Sequence, residues 1–190
     1  MAMFNDFPER QTSCLINDTP EKVILSRETK ATSVMGKEYV YNGLFAPNSI
    51  IALGDIVEVV ASYMVLTMRQ TVERDKYCSL LKTNAVIDIQ RYGREFDGNR
   101  NPVGKPKFLT VEAGAACFAQ FVTGDLRQDE PGLLETTKYL LVLQKSVDIE
   151  RPQNANPDRI ILDGRPYRVD VVDNIKYPNL LNVQLSEDTR

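Results

Sequence analysis

Apolar and polar residues alternate along much of this chain with a period of two, the spacing that sends side chains to opposite faces of a strand. The alternation is read at 137–149, where Tyr139, Leu141, Leu143, Val147 and Ile149 all fall on odd positions. It recurs at 84–92 around Val86, Ile87 and Ile89, and at 38–45. Ile56, Val57, Val59, Val60, Tyr63, Val65 and Leu66 give a β-branched and aromatic stretch over 55–67, composition that fits a pleated, half-buried surface. Further strands are predicted at 108–123, where Ala113-Gly114-Ala115-Ala116 reads as a bend between two strands or as a short helix, at 159–172 and at 179–185. Asp163-Gly164 interrupts the 159–172 run and predicts a hairpin with a tight primed turn. The charged stretch 124–135, with Glu130-Pro131-Gly132, reads as a turn, and 153–158 as a polar loop. No segment sustains a helical period. The fold class is mostly β, a barrel or sandwich of short antiparallel strands with long loops.

Two segments lack this pattern. Residues 1–20 are aperiodic, with Pro8 and Pro20, and read either as an extended arm whose Phe4, Phe7, Leu15 and Ile16 suit a groove on a neighbour, or as a disordered tail or a cover over its own core. Residues 93–107 hold three glycines and two prolines with little apolar content, and read as a long surface loop or linker. Arg94, Phe96, Arg100, Lys105 and Lys107 mark this loop as a basic contact surface for an acidic partner or nucleic acid. The predicted organisation is an arm at 1–20, a first β unit at 21–92, the linker at 93–107 and a second β unit at 108–190.

The two β units echo each other. The stretch from Pro47 through Ile50, Ile51, Gly54 and Val59 lies without a gap over Pro157, Ile160, Ile161, Gly164 and Val169. Lys76, Tyr77, Leu80 and Leu81 lie over Lys176, Tyr177, Leu180 and Leu181. Two related β-barrel halves, one pseudo-symmetric sandwich, or a chance recurrence of common β residues all fit this echo.

Composition narrows the function. The chain has 190 residues and no histidine. That absence removes Ser-His and Cys-His chemistry and most zinc hydrolase designs, leaving only carboxylate, lysine or tyrosine chemistry open. Its net charge of −3 gives no overall support to phosphate binding. Cys14, Cys78 and Cys117 lie far apart in sequence and have no metal-type spacing, so buried thiols in a reducing compartment are expected. Asp163, Asp170, Asp173, Glu187 and Asp188 are too irregularly spaced for a cation loop. Tyr63, Tyr77, Tyr92, Phe96 and Phe108 suit core and corner roles better than a base-stacking platform. The start of the chain is neither basic nor apolar enough for a signal peptide, and no apolar run approaches the ~18 residues that span a bilayer. A protein made in the cytoplasm, with no catalytic, cofactor or metal site and no membrane contact, is the expectation.

The C-terminal third carries a resemblance. Arg159-Ile-Ile-Leu-Asp-Gly-Arg-Pro-Tyr-Arg-Val-Asp-Val-Val-Asp173, then Tyr177-Pro-Asn-Leu-Leu-Asn-Val-Gln-Leu-Ser-Glu187, resembles the end of the head–tail joining proteins of tailed bacteriophages, the head-closure or stopper proteins of the neck. In that family a glycine hairpin and an apolar strand precede a last polar strand. The resemblance implies a virion protein, a ring of identical subunits between the portal–adaptor complex and the tail, with double-stranded DNA passing through the channel. Two other readings stand beside it. One is a nucleic-acid-binding OB-like barrel; the other is another minor virion protein, such as a tail terminator. A carboxylate or Lys/Tyr enzyme requires a deep pocket with strongly shifted carboxylates.

Overall fold

A computed structural model describes residues 3–28, 38–150 and 156–190. Twelve strands among them form two closed antiparallel barrels. The chain divides into a first unit, residues 1–83 with 175–180, and a second unit, residues 84–174 with 181–190.

The first barrel is built from β1 (Thr12–Ile16), β2 (Thr19–Arg27), β3 (Val40–Phe45), β4 (Ile56–Glu58), β5 (Ser62–Gln70) and β6 (Lys76–Lys82). Around the ring they run β1-β2-β3-β6-β5-β4, and β1 closes the circle against β4. Alternation fills the inside: Ile16, Val23, Phe45, Val57, Val65, Cys78 and Leu80 are buried in one cluster. The second barrel uses β7 (Ala85–Phe96), β8 (Pro102–Phe121), β9 (Tyr139–Gln144), β10 (Arg159–Leu162), β11 (Arg165–Asp173) and β12 (Leu180–Glu187). Its ring order is β7-β8-β9-β12-β11-β10, closed by β7 against β10. Ile87, Ile89, Leu141, Leu143, Ile160, Val169, Val183 and Leu185 fill it.

The connectivity is the same in both halves: two three-stranded meanders, joined through their first strands on one side and their last on the other. Local detail repeats as well. Val65 and Val169 each donate their N–H to the carbonyl of the aspartate before the fourth strand, Asp55 and Asp158, at 3.0 Å. A register shift follows each valine, between Val65 and Thr67 and between Val169 and Val171. Val65 pairs with Leu80, and Val169 with Leu185. Two residues before each valine stands a buried tyrosine in an edge-on contact with a tyrosine of the third strand. Tyr63 meets Tyr41 at 5.1 Å and Tyr167 meets Tyr139 at 5.2 Å. Burial first, and then the facing tyrosine, raises the pKa of both Tyr63 and Tyr167.

This registry corrects the sequence echo. The structure matches Val169 with Val65, not Val59. Lys76–Leu81 lies within β6, whereas Lys176 and Tyr177 precede β12. The repeat is real in connectivity, but the string of shared residues that suggested it was out of register.

Several boundaries also differ from expectation. The units divide at Thr83/Asn84, and β7 crosses the border predicted at 92. Residues 1–20 are not an arm. Two short 3-10 turns, Met3–Asp6 and Pro8–Arg10, lead into β1, and β1 and β2 are staves of the first barrel. The cause is visible in two contacts. The buried Asp75 carboxylate accepts the Phe4 N–H at 3.0 Å, and Phe4 itself is buried. The 108–123 bend is a bulge at Ala113-Gly114 inside one long strand, Gly114 taking φ +74° and donating its N–H to Asp88 Oδ1 at 2.9 Å. Within 124–135, Gly124–Asp129 forms a short helix, α1, capped by Thr123, whose hydroxyl accepts from the Leu126 N–H. Part of the predicted polar loop at 153–158 lies outside the described residues.

The predicted hairpin is present. Arg159–Leu162 pairs with Arg165–Asp173 across Asp163 and Gly164, both at positive φ (50° and 71°) as a type I′ turn requires. A Cβ at Gly164 would meet nothing within 4 Å, so strain alone sets the cost of substitution. Gly164→Val will destabilise the second barrel by about 1–3 kcal/mol. Chemical denaturation read from second-barrel probes will show it as a lower midpoint at unchanged slope.

Candidate assembly surface

The two barrels differ most in their first hairpin. Ile16 pairs with Val57 in the first barrel, and Ile89 with Ile160 in the second. After Ile16 the chain turns at once through Asn17 and Asp18, both at positive φ, short polar residues that tolerate that region. After Ile89 it continues to Phe96, turns, and returns along Pro102–Glu112 as a two-stranded ribbon. The loop expected at 93–107 is therefore most of this ribbon. Its own ladder and turn order it, so it does not wait for a neighbour.

The tip is well defined. Asp97 N–H donates to the Asn101 carbonyl and Arg100 N–H to the Asp97 carbonyl, each at 2.9 Å. Asp97 Oδ1 accepts the N–H groups of Asn99 and Asn101 at 2.9 and 2.8 Å. Hydrogen bonds from Asn101, backbone first, lower the pKa of Asp97. Farther down, Lys107 pairs with Glu95 at 2.8 Å.

The base is fixed on both strands. On β7, Arg91 forms a bidentate pair with Asp158, Nε and Nη2 each at 3.0 Å, and reaches Asp148 and Glu150 at 3.1 and 3.3 Å. The Asp158 hydrogen bond is the largest influence holding Arg91 protonated. On β8, Phe108 meets Tyr92 edge-on at 5.3 Å and lies under the Arg159 guanidinium at 3.7 Å. Arg190 also lies over Phe108, at 5.0 Å. Asp188 holds both arginines, at 2.7 and 2.8 Å. Burial works to raise the pKa of Asp188, but the hydrogen bonds from Arg190 and Arg159 outweigh it and hold the carboxyl well below the usual range.

Beyond this base the ribbon is exposed on both faces. Phe96 is 64% and Val103 49% exposed, and at the foot of the ribbon Tyr92 and Val111 are exposed as well. Between positions 90 and 111 stand Arg91, Arg94, Arg100, Lys105 and Lys107 against Glu95 and Asp97, a net charge of +3. The total being −3, the rest of the chain carries −6. The ribbon is thus a basic, partly apolar projection on an acidic protein.

Of the nine residues proposed from sequence for an assembly surface, Arg94, Phe96, Arg100, Lys105 and Lys107 come together on this ribbon. The other four lie in the first unit and divide. Phe7 and Leu15 are exposed, whereas Phe4 and Ile16 are buried: Ile16 because β1 sends alternate side chains into its own barrel, Phe4 because the turn before β1 is tied to Asp75. Tyr92 and Val111, which flank the 93–107 stretch in sequence, were missed as ribbon residues.

The other constellations form no reactive centre among the described residues. Cys14, Cys78 and Cys117 are buried free thiols; burial is the main cause that pushes the first up to about 11 and the other two up to about 12. All three are therefore neutral at physiological pH, where a thiolate would be the nucleophile. Asp170 is paired with Arg168, Asp188 with two arginines, and no group of three or more potential ligands among the described residues is placed to hold a metal ion. Tyr63 points into a barrel, so the five aromatics form no stacking platform. No helix among the described residues is long and apolar enough to cross a membrane. No protein-family model matches the chain, and no curated protein matches it.

Proposed function

We propose that the chain is a structural subunit that assembles into a ring, and that its setting is the neck of a tailed phage. There it would sit between the portal–adaptor complex and the tail, around the DNA channel. The carrying observation is the 90–111 ribbon. It is ordered by its own ladder and anchored at its base by Arg91 and Phe108, yet its distal apolar side chains are uncovered. A projection of this kind gains from a partner without having to be ordered by it, so docking costs little conformational entropy. The resemblance of the C-terminal third to head–tail joining proteins supplies the phage setting. A tail terminator would use the same ring logic.

The net +3 ribbon with Tyr92 and Phe96 favours a second reading, nucleic-acid binding by the ribbon of a closed barrel. Class averages of the purified full chain by electron microscopy distinguish the two. Closed rings with a central channel are expected, and shortening the ribbon by joining Gly93 to Lys107 through a two-residue turn will leave folded monomers. A full chain that stays monomeric and binds oligonucleotides, with affinity falling steeply as salt rises, overturns the ring reading.

A further inference from the structure

The first unit carries an open cleft of about 640 Å³. Its lining includes the buried Phe4 and Cys14 and, nearer solvent, Leu15, Pro20, Glu21 and Glu58. Strand pairing explains the outer part. Leu15 of β1 lies opposite Pro20 of β2 on one side and Glu58 of β4 on the other. Directly opposed residues share a sheet face, so the three side chains stand together on the outer wall of the barrel. Ile50, whose N–H donates to Glu21 Oε1 at 3.2 Å, is exposed, as is Val60, two residues beyond Glu58. The cleft is therefore apolar at its centre and rimmed by two carboxylates, which outweigh the one lysine in its lining, Lys22.

We propose that this cleft receives the tip of the 90–111 ribbon from a second copy of the chain, Phe96 and Pro102, paired on one face of the ribbon, entering the apolar part and Arg94 and Arg100 facing Glu58 and Glu21. The proposal rests on the reading of the chain as a self-assembling subunit and names the contact that reading requires. Charge selects the geometry. Ribbons carrying +3 repel one another, and so do bodies carrying −6. The attractive arrangement between copies is ribbon to body. That contact is head-to-tail: each copy uses one surface to give and a different one to receive. Repeated contacts of this kind close into rings when the rotation between copies allows it. Duplex DNA would satisfy the arginines but leave Phe96 without an apolar partner.

The test is cross-linking between two single variants of the full chain. Phe96→Cys and Glu58→Cys both alter exposed side chains, and the native thiols are buried. Under mild oxidation, the mixed sample is expected to give a disulfide-linked pair that neither variant gives alone. Arg94→Glu with Arg100→Glu is expected to weaken self-association about tenfold, and mixing that chain with Glu58→Lys to restore part of it. Self-association that persists without the mixed cross-link and ignores the charge reversals overturns this contact while leaving the ring reading intact. A chain that is monomeric at every concentration overturns both. A ribbon whose reversal abolishes binding to duplex DNA, with self-association unchanged, assigns it to nucleic acid and overturns the contact.

Discussion

Deleting residues 1–16 will unfold the first barrel and leave the second standing. Read by its pattern alone, this segment is an arm whose removal spoils assembly and spares the fold. Its place in the ring reverses that expectation. β1 is hydrogen-bonded to β2 over five paired positions and closes the barrel against β4. Its removal opens a closed sheet and exposes two edges at once, each a row of unpaired N–H and C=O groups. It also removes Phe4, Cys14 and Ile16 from the core. Burial of a large apolar side chain stabilises by roughly 1.5–3 kcal/mol, so Phe4 and Ile16 alone account for about 3–6 kcal/mol. That approaches the whole stability of a typical domain, about 5–15 kcal/mol. The second barrel has its own closed ladder and its own core and does not depend on this strand. Hydrogen exchange on the truncated chain will show protection lost in β2–β6 and kept in β7–β12. Retained protection in β2–β6 would mean that β1 is dispensable for closure.

The reason β1 escapes a reading by pattern lies in its length. Thr12, Ser13 and Leu15 are exposed, and only Cys14 and Ile16 are buried. A five-residue strand with two buried positions gives too short an alternation to separate from chance, and Pro20 in β2 argues further against a sheet. Pro20 is tolerated because it stands next to the turn, paired with Leu15. One signal is present: Asn17-Asp18 between Ile16 and Thr19 is a pair that accepts positive φ, as Asp163-Gly164 is. The second is recognisable because glycine makes it obvious. The ribbon is illegible for a different reason. A strand pair exposed on both faces has no buried side to impose alternation, and Gly93, Gly98, Gly104, Pro102 and Pro106 imitate a loop. What the sequence does carry is its chemistry, since Arg94, Phe96, Arg100, Lys105 and Lys107 stand together whether the backbone is loop or ladder. β7 is legible because burial of one face, at Ile87 and Ile89, forces the pattern, and β9 because Leu140, Leu141, Val142 and Leu143 are all buried and give a continuous apolar run.

Replacing Arg91 will cost more than replacing any other surface cation, because of what it leaves behind. Asp158 is 2% exposed, and Arg91 supplies its bidentate partner. The other donor to that carboxylate among the described residues is the Glu150 N–H, at 3.0 Å. Truncating one member of such a pair strands the other charge away from water, which is worse than never having had the pair. With Arg91 itself partly exposed, Arg91→Ala will destabilise the second barrel by about 2–4 kcal/mol. Arg91→Lys will recover little, since an ammonium cannot span both carboxylate oxygens as the guanidinium fork does. Asp158→Asn in the Arg91→Ala chain will recover stability, because it removes the stranded charge and keeps an acceptor for Glu150. Parallel denaturant titrations of the three variants and the parent measure this, and an Arg91→Ala chain as stable as the parent would show that Asp158 is satisfied without the guanidinium.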